Sequence, residues 1–374
     1  MYLEERIDLI CFSPLRWADA YQRQHQLMTR FSRKFRVIYI EEPSFTEQGT
    51  GYATSAEENF ICVQPHFHIN MPEQNLADAR RFLLEEIFTD LNISKYIAWF
   101  HTPTAVAYIE QLTPVLTVYD CVGDLPTLAN FTELESKLLQ YADVVFTDGL
   151  SLYESKKHFH SSVHAIPDGI DIDHFYKGRY YAKDPLDQVL IPLPRIGFFG
   201  TIDNRVDLTL LSAIALRKPE WSFVLIGDTK NKQTPALKNV HFLGEKTYEQ
   251  LPAYLSGWDL TMLPLVHNES TRFLNPRQSG AYLAAGKPVI STAINDVIRL
   301  LGRRQLVNIA GTADEFIRIA DIELRRRDRT EWSMEVNDLL QQSTWEKTWQ
   351  RMDNLISEQL TSKVDDMIKK VFAS

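Results

Sequence analysis

The chain has 374 residues, enough for two domains at roughly 150 residues each. Hydrophobic residues make up 44% and charged residues 24%, a globular balance that excludes intrinsic disorder. The 40 Lys and Arg against 49 Asp and Glu give a net charge of −9, which argues against a dedicated nucleic-acid binder. The three cysteines (Cys11, Cys62, Cys121) have no metal-ligand spacing and read as reduced thiols. The start, MYLEERIDLICFSPL, has early acids and no signal-peptide core, and no apolar run nears the ~18 residues of a bilayer span. A cytoplasmic protein is expected.

Short apolar runs rich in β-branched and aromatic residues then recur along the chain. The first covers 7–13 (IDLICFS). The stretch from Arg16 to Arg36 carries Arg23, Arg30, Arg33 and Lys34 among Leu27, Met28 and Phe31, and reads as an amphipathic helix. It fits either an ordinary domain helix with a solvated face or a docking face for anionic lipid. Runs at 36–42, 60–66, 96–102, 116–122, 143–149 and 163–169 complete the first half. His101 follows the run YIAWF and Asp120 ends LTVY, so both belong at strand C-termini, as ligand groups or as helix caps. His158, His160 and His164 lie close together without a partner at zinc spacing, which suits a solvated helix end.

Residues 168–195 mix Gly, Pro and charge with little periodicity, a linker pattern. The expected division is a first domain over 1–170, a linker over 171–194, a second domain over 195–344 and a helical tail over 345–374. Runs at 195–201, 223–228, 240–245, 260–265 and 288–293 mark the second domain's strands. Near-continuous apolar runs alternating with amphipathic stretches indicate parallel sheets covered by helices, hence an α/β doubly wound class.

No G-x-G-x-x-G and no G-x-x-x-x-G-K-[ST] occurs, so dinucleotide and P-loop chemistry has no support. In IGFFGTIDNRVD a strand ends at Gly200, with Thr201 next and Arg205 shortly after. This is either a ligand-facing turn with a phosphate-binding Arg or a plain tight turn with a solvated one. In NPRQSGAYLAAGKPVIST (275–292), Asn275 suits an N-cap and Pro276 a first helical position. Arg277 to Ala285 then form the helix, Gly286 a left-handed stop, and Pro288 opens the next strand. Such a helix start at a sheet's carboxyl edge is an anion site to which Arg277 would add charge.

The same string resembles the N-P-x-K-x-x-E-Y-L-A-A-G-K-P-V pattern of retaining GT-B glycosyltransferases, the group 1, family-four type. HAIPDGIDIDHF (164–175) is similar to that family's P-N-G-[VI]-D-x-x-x-F phrase, and VHFLGEKTYEQLPAYLSGWDLTMLPL (240–265) to its LG, LP-x-Y and D phrase. FSPLRWADAYQRQHQLMTRF and TVYDCVGD resemble bacterial surface-polysaccharide transferases of the teichuronic-acid type. The resemblance implies a GT-B α/β architecture, two Rossmann-like domains facing across a cleft, with the last helix returning to the first, acceptor-side domain. It implies a hexosyltransferase-type enzyme that moves a sugar from a UDP- or GDP-type donor to a glycan or lipid-linked hydroxyl. Anomeric configuration would be retained, with no cofactor or metal, at an anionic inner membrane face.

In that reading Asp120, with His101 beside it, lies near the reacting carbon. The family's next acid falls at Gly123 here, with Asp124 one residue off. The helix from Asn275 with Arg205 and Arg277 would take the leaving diphosphate, and the base would lie against Gly244, Glu245 and Lys246. Ala281 stands where the family has a ribose-binding Glu, and Glu269 is a substitute out of register. Asp171-Ile172-Asp173 is an Asp-x-Asp, but within the 164–175 phrase it is not read as a metal site. Two alternatives remain: a nucleotide-sugar epimerase, and a non-catalytic GT-B-like partner in polysaccharide assembly.

Overall fold

A strand that is apolar at every position must be covered on both faces, and the interior of each half of this chain is built that way. The computed structural model describes residues 6–18, 22–106, 112–123, 131–180, 183–229 and 234–373. The chain divides into unit 1, Met1–Pro167 with Thr348–Ser374, and unit 2, Asp168–Lys347.

Unit 1 holds β1 (Asp8–Phe12), β2 (Arg36–Ile40), β3 (Ser44–Thr46), β4 (Gly51–Glu57), β5 (Phe60–His68), β6 (Tyr96–Phe100), β7 (Leu116–Cys121), β8 (Val144–Thr147) and β9 (Val163–Ala165). They form one sheet in the order β3-β5-β2-β1-β6-β7-β8-β9, with β4 on β5. β1, β6 and β7 are buried at every residue. The expected strand–helix alternation fails between β2 and β5, where β4 makes an antiparallel ribbon with β5. The sequence GYATSAE carries no apolar run because most of β4 is exposed. An edge ribbon buries too little to leave a hydrophobic signature.

Unit 2 holds β10 (Arg195–Phe199), β11 (Ser222–Ile226), β12 (Val240–Phe242), β13 (Leu260–Leu263), β14 (Val289–Ser291) and β15 (Asn308–Ile309). Among the described residues these strands pair in parallel, in the order β12-β11-β10-β13-β14-β15. Trp258 fills the space against Gly197, where an added Cβ would fall 1.9 Å from the indole.

The stretch expected to link the domains is folded into unit 2. Asp171 caps the helix Ile172–Tyr176, accepting from the His174 N–H at 3.3 Å and from the Tyr248 hydroxyl at 2.9 Å. Phe175 and Ile191 join the unit's core, and buried Gln188 accepts from the Trp258 indole N–H at 2.8 Å. These partners lie roughly 60 to 80 positions away, so no local periodicity records them. The cap also accounts for the Asp-x-Asp.

The helix Trp345–Ala373 spans the boundary, and its part from Thr348 belongs to unit 1. There Met352 and Ile356 are buried, Lys34 meets Asp353 at 2.7 Å, and Lys363 meets Asp143 at 2.6 Å. The helix Arg23–Phe31 is correspondingly not a lipid-facing one. Seven of its nine residues are buried, Arg23 included, and Arg30 is turned onto the Gln26 carbonyl at 2.8 Å. Among the described residues no helix is long and apolar enough to cross a membrane.

Candidate functional site

In unit 2 the chain leaves β10 toward β11 and β12, then returns to build β13, β14 and β15 on the other side. The reversal falls between β10 and β13, the position at which open α/β sheets bind ligands at their carboxyl edge. Gly200, Gly227 and Gly244 follow the ends of β10, β11 and β12, all at positive φ. A Cβ on Gly227 would lie 2.0 Å from the Gly200 carbonyl oxygen, and one on Gly200 would lie 2.6 Å from Gln278 Nε2. Only glycine permits this approach. The Gly200 N–H donates to the Ile226 carbonyl at 2.9 Å and the Gly227 N–H to Gly244 at 3.0 Å, giving a ledge of bare backbone.

The helix Gln278–Ala284 is fixed over that ledge by Tyr282, whose hydroxyl accepts from the Phe199 N–H at 3.0 Å. Burial pushes the Tyr282 phenol up, so it stays neutral. The helix begins later than expected, with Arg277 rather than Asn275 as its N-cap. The Pro276 carbonyl accepts from the Ser279 N–H at 3.2 Å and from its hydroxyl at 2.7 Å, closing a turn just ahead of the helix. Gly286 takes the expected left-handed conformation at φ +69°.

Each cation expected at the diphosphate, and Lys246 expected at the base, already has a carboxylate. Arg205 forks onto Asp203, with Nη2 to Oδ2 at 2.7 Å, Arg277 pairs with Asp168, and Lys246 meets Asp187 at 2.8 Å. Hydrogen bonding to Asp187 holds the Lys246 ammonium above its ordinary value. Thr201, Gly244 and Glu245 are exposed and Asn275 is half-buried. Glu269 is exposed and pairs with Arg272 at 3.2 Å within its own short helical turn, so it is not held as a substitute acceptor. Ala281, where the resemblance has a ribose-binding Glu, is buried in the apolar core of unit 2.

In unit 1 the order reverses between β1 and β6, and His101 and Asp120 lie at this edge as expected. They are not open there. Asp120 and His101 are 0% exposed, and Arg23, also 0% exposed, donates to the Asp120 carboxylate at 2.9, 3.0 and 3.1 Å. Its Nη1 donates to the Ile166 carbonyl at 3.1 Å, and His101 Nδ1 lies 3.4 Å from Asp120 Oδ2. A hollow at the same edge is lined by Ser13, Glu41, Arg80, Thr102 and Thr104. Buried Glu41 accepts from the Trp17 N–H at 2.7 Å and from the Cys62 thiol at 3.1 Å; burial first, and this hydrogen bond second, push that thiol up. Asp124 lies outside the described residues. Among the described residues no group of three or more His, Cys, Asp or Glu is placed to hold a metal ion.

Sequence reasoning missed Gly227, Gln278 and Tyr282 in unit 2 and the partnership of Arg23 in unit 1. FVLIGD carries the same strand-then-glycine signal as IGFFG and would have found Gly227. For Arg23 no local signal exists, since Asp120 is 97 residues away.

Residues 193–321, which lie within unit 2, match the family model for glycosyl transferases group 1. The fold is that of the GT-B glycosyltransferases. Sucrose-phosphate synthase from Thermosynechococcus elongatus superposes with a TM-score of 0.71 over 96% of this chain and 100% of that one, at 13% identity. The Anabaena protein Alr3699/HepE, solved in complex with UDP and glucose, gives 0.66 over 94% and 100% at 14% identity. Identities this low speak for the fold alone. By sequence, the chain is 26% identical over 136 residues to TuaH of Bacillus subtilis, named as a teichuronic acid biosynthesis glycosyltransferase. That match spans 35% of this chain and 34% of the relative's length.

Proposed function

We propose that the protein transfers a sugar from a nucleoside diphosphate sugar to a hydroxyl of a glycan or lipid-linked acceptor, with retention and without a catalytic metal ion. The observation that carries this reading is the ledge of Gly200, Gly227 and Gly244 at the reversal point of unit 2, with Gln278 against it. Bare backbone there lets a diphosphate approach without side-chain interference, as a close-packed anion site requires. Arg205 and Arg277 are the cations that would stabilise the leaving diphosphate, by exchanging Asp203 and Asp168 for phosphate oxygens. Two similar structures, HepE in complex with UDP and glucose and an E. coli protein bound with UDP-2-fluoro glucose, make uridine donors the first to try. The TuaH match favours a surface polysaccharide as acceptor, which would bring the protein to the inner face of the cell membrane.

The test is calorimetry with UDP, GDP and ADP and their sugars, followed by release of free nucleoside diphosphate with and without acceptor. Binding with release on adding acceptor supports transfer. A second reading, a non-catalytic nucleotide- or glycan-binding partner in polysaccharide assembly, is favoured by the full pairing of the three cations and by Ala281 in place of an acid. Nucleotide binding without turnover on any acceptor would select it.

A further inference from the structure

The turn that follows residues 177–183 in unit 2 has two unlike faces. The Pro185 carbonyl accepts from the N–H groups of both Gln188 and Val189, and Gln188 from that of Ile191, so 185–191 is one helical turn. Its inner face is fixed: Gln188 and Ile191 are buried, Asp187 accepts from the Tyr254 hydroxyl at 2.7 Å, and Asp184 meets Arg195 at 2.6 Å. Its outer face presents Leu186 at 92% exposure, Leu190 at 90%, Leu193 at 63% and Val189 at 49%. Spacing of i, i+3 and i+4 sets Leu186, Val189 and Leu190 side by side. Water faces four large aliphatic side chains within eight residues, an arrangement folding alone does not explain.

The surroundings are cationic. Asp184 is taken up by buried Arg195 and Asp187 by Lys246, which leaves Lys177, Arg179 and Lys183 as the charge of residues 176–195, in a chain whose net charge is −9. The short helix Lys177–Arg179 packs on the same helix, Leu251–Ser256, that holds the turn: a Cβ on Gly178 would lie 3.2 Å from the Pro252 carbonyl, and Gln188 donates to the Tyr254 carbonyl at 3.1 Å. It brings exposed Tyr176 and Tyr180, whose hydroxyls meet at 3.1 Å, and exposed Lys177. Aliphatic side chains at a tip, tyrosines beside them and lysines behind match the three layers of a bilayer's surface: acyl boundary, polar interface and anionic headgroups.

We propose that this face of unit 2 docks on an anionic lipid bilayer, inserting Leu186, Val189, Leu190 and Leu193 while Lys177 and Lys183 meet the headgroups. The proposal deepens the membrane part of the functional reading above, and its readout needs no sugar transfer. The test is flotation of the full chain with equimolar phosphatidylglycerol–phosphatidylcholine vesicles and with phosphatidylcholine alone, at low and high salt. The wild type should float with the anionic vesicles. Leu186→Ser combined with Leu190→Ser should weaken binding roughly tenfold or more, because each buried methylene contributes to anchoring. Lys177→Ala combined with Lys183→Ala should weaken it less and remove much of the salt sensitivity. Both leucines are exposed, so the paired variant should keep its Tm, and that is measured alongside. Absence of wild-type flotation, or equal flotation of the leucine variant, overturns the proposal. Concentration-dependent dimers that the leucine variant abolishes, without vesicle binding, also overturn it, in favour of a second copy of this chain. Flotation with no nucleoside diphosphate release from any donor leaves docking standing and removes the transfer reading alone.

Discussion

The carboxyl edges of the two sheets solve the same geometric problem in opposite ways. In unit 1 the edge charges are sealed: Arg23 and Asp120 are wholly buried and paired, with the buried His101 ring 3.4 Å from the carboxylate. In unit 2 the edge is bare glycine backbone, and its cations sit in partly exposed pairs with Asp203, Asp168 and Asp187. A buried pair loses an irreplaceable partner when broken, whereas a solvated pair can exchange a carboxylate for water or for a phosphate oxygen. The first arrangement fixes a shape. The second can accept an anion. Asp120 therefore acts on unit 1's edge as an anchor for Arg23, and an effect of its substitution on turnover would have to be separated from loss of fold.

The comparison breaks first at Arg23. Arg23→Met leaves the Asp120 carboxylate buried without its cation and should cost about 3–5 kcal/mol in urea denaturation. A loss under about 1 kcal/mol would mean that the cluster is not sealed. Ala281→Glu comes next, because a carboxylate placed in the unit 2 core should cost about 2–3 kcal/mol and leave nucleotide affinity no tighter. Tighter binding with an unchanged Tm would instead put position 281 at the ligand.

Gly227→Ala should destabilise by about 2 kcal/mol, since its Cβ meets a backbone carbonyl at 2.0 Å and its φ is +144°. Gly200→Ala shares the backbone strain of a φ of +138° but meets only the end of the Gln278 side chain, which can swing away, so it should cost less stability than Gly227→Ala while still narrowing the ledge. Equal stability losses at the two positions would show that the ledge is not stacked as described. Arg205→Ala and Arg277→Ala should each weaken nucleoside diphosphate binding by about 1–2 kcal/mol, the part of a charge-assisted bond left after release of the resident carboxylate. Asp203→Asn, which frees Arg205, should tighten it. Unchanged affinity in all three variants would remove the diphosphate clamp. The smallest effect is expected at Lys246→Ala, under about 1 kcal/mol of stability, because its pair with Asp187 is on the surface.

Each of the twelve apolar runs overlaps a strand of the structure, and those over β1, β6, β8, β10, β11 and β14 were legible because a strand covered on both faces selects apolar side chains. β3, β4 and β15 were not legible, being three-, seven- and two-residue strands with no fully buried stretch. Gly200 and Gly286 were readable from their places after a strand and after a helix. The cap at Asn275 was misread because Pro276 and Ser279 close a turn that local propensity does not distinguish from a first helical turn.

By itself, then, the amino-acid order determined the class of the buried strands and the left-handed stop at Gly286, since those depend on neighbours within a few positions. Only the tertiary structure decided which charges are sealed and which are exchangeable. Arg23 and Arg205 are the same side chain on the segment that follows an apolar strand, and their difference lies in a partner 97 positions away for one and two away for the other. Burial is a property of what packs on top, and that is set by the whole fold at once.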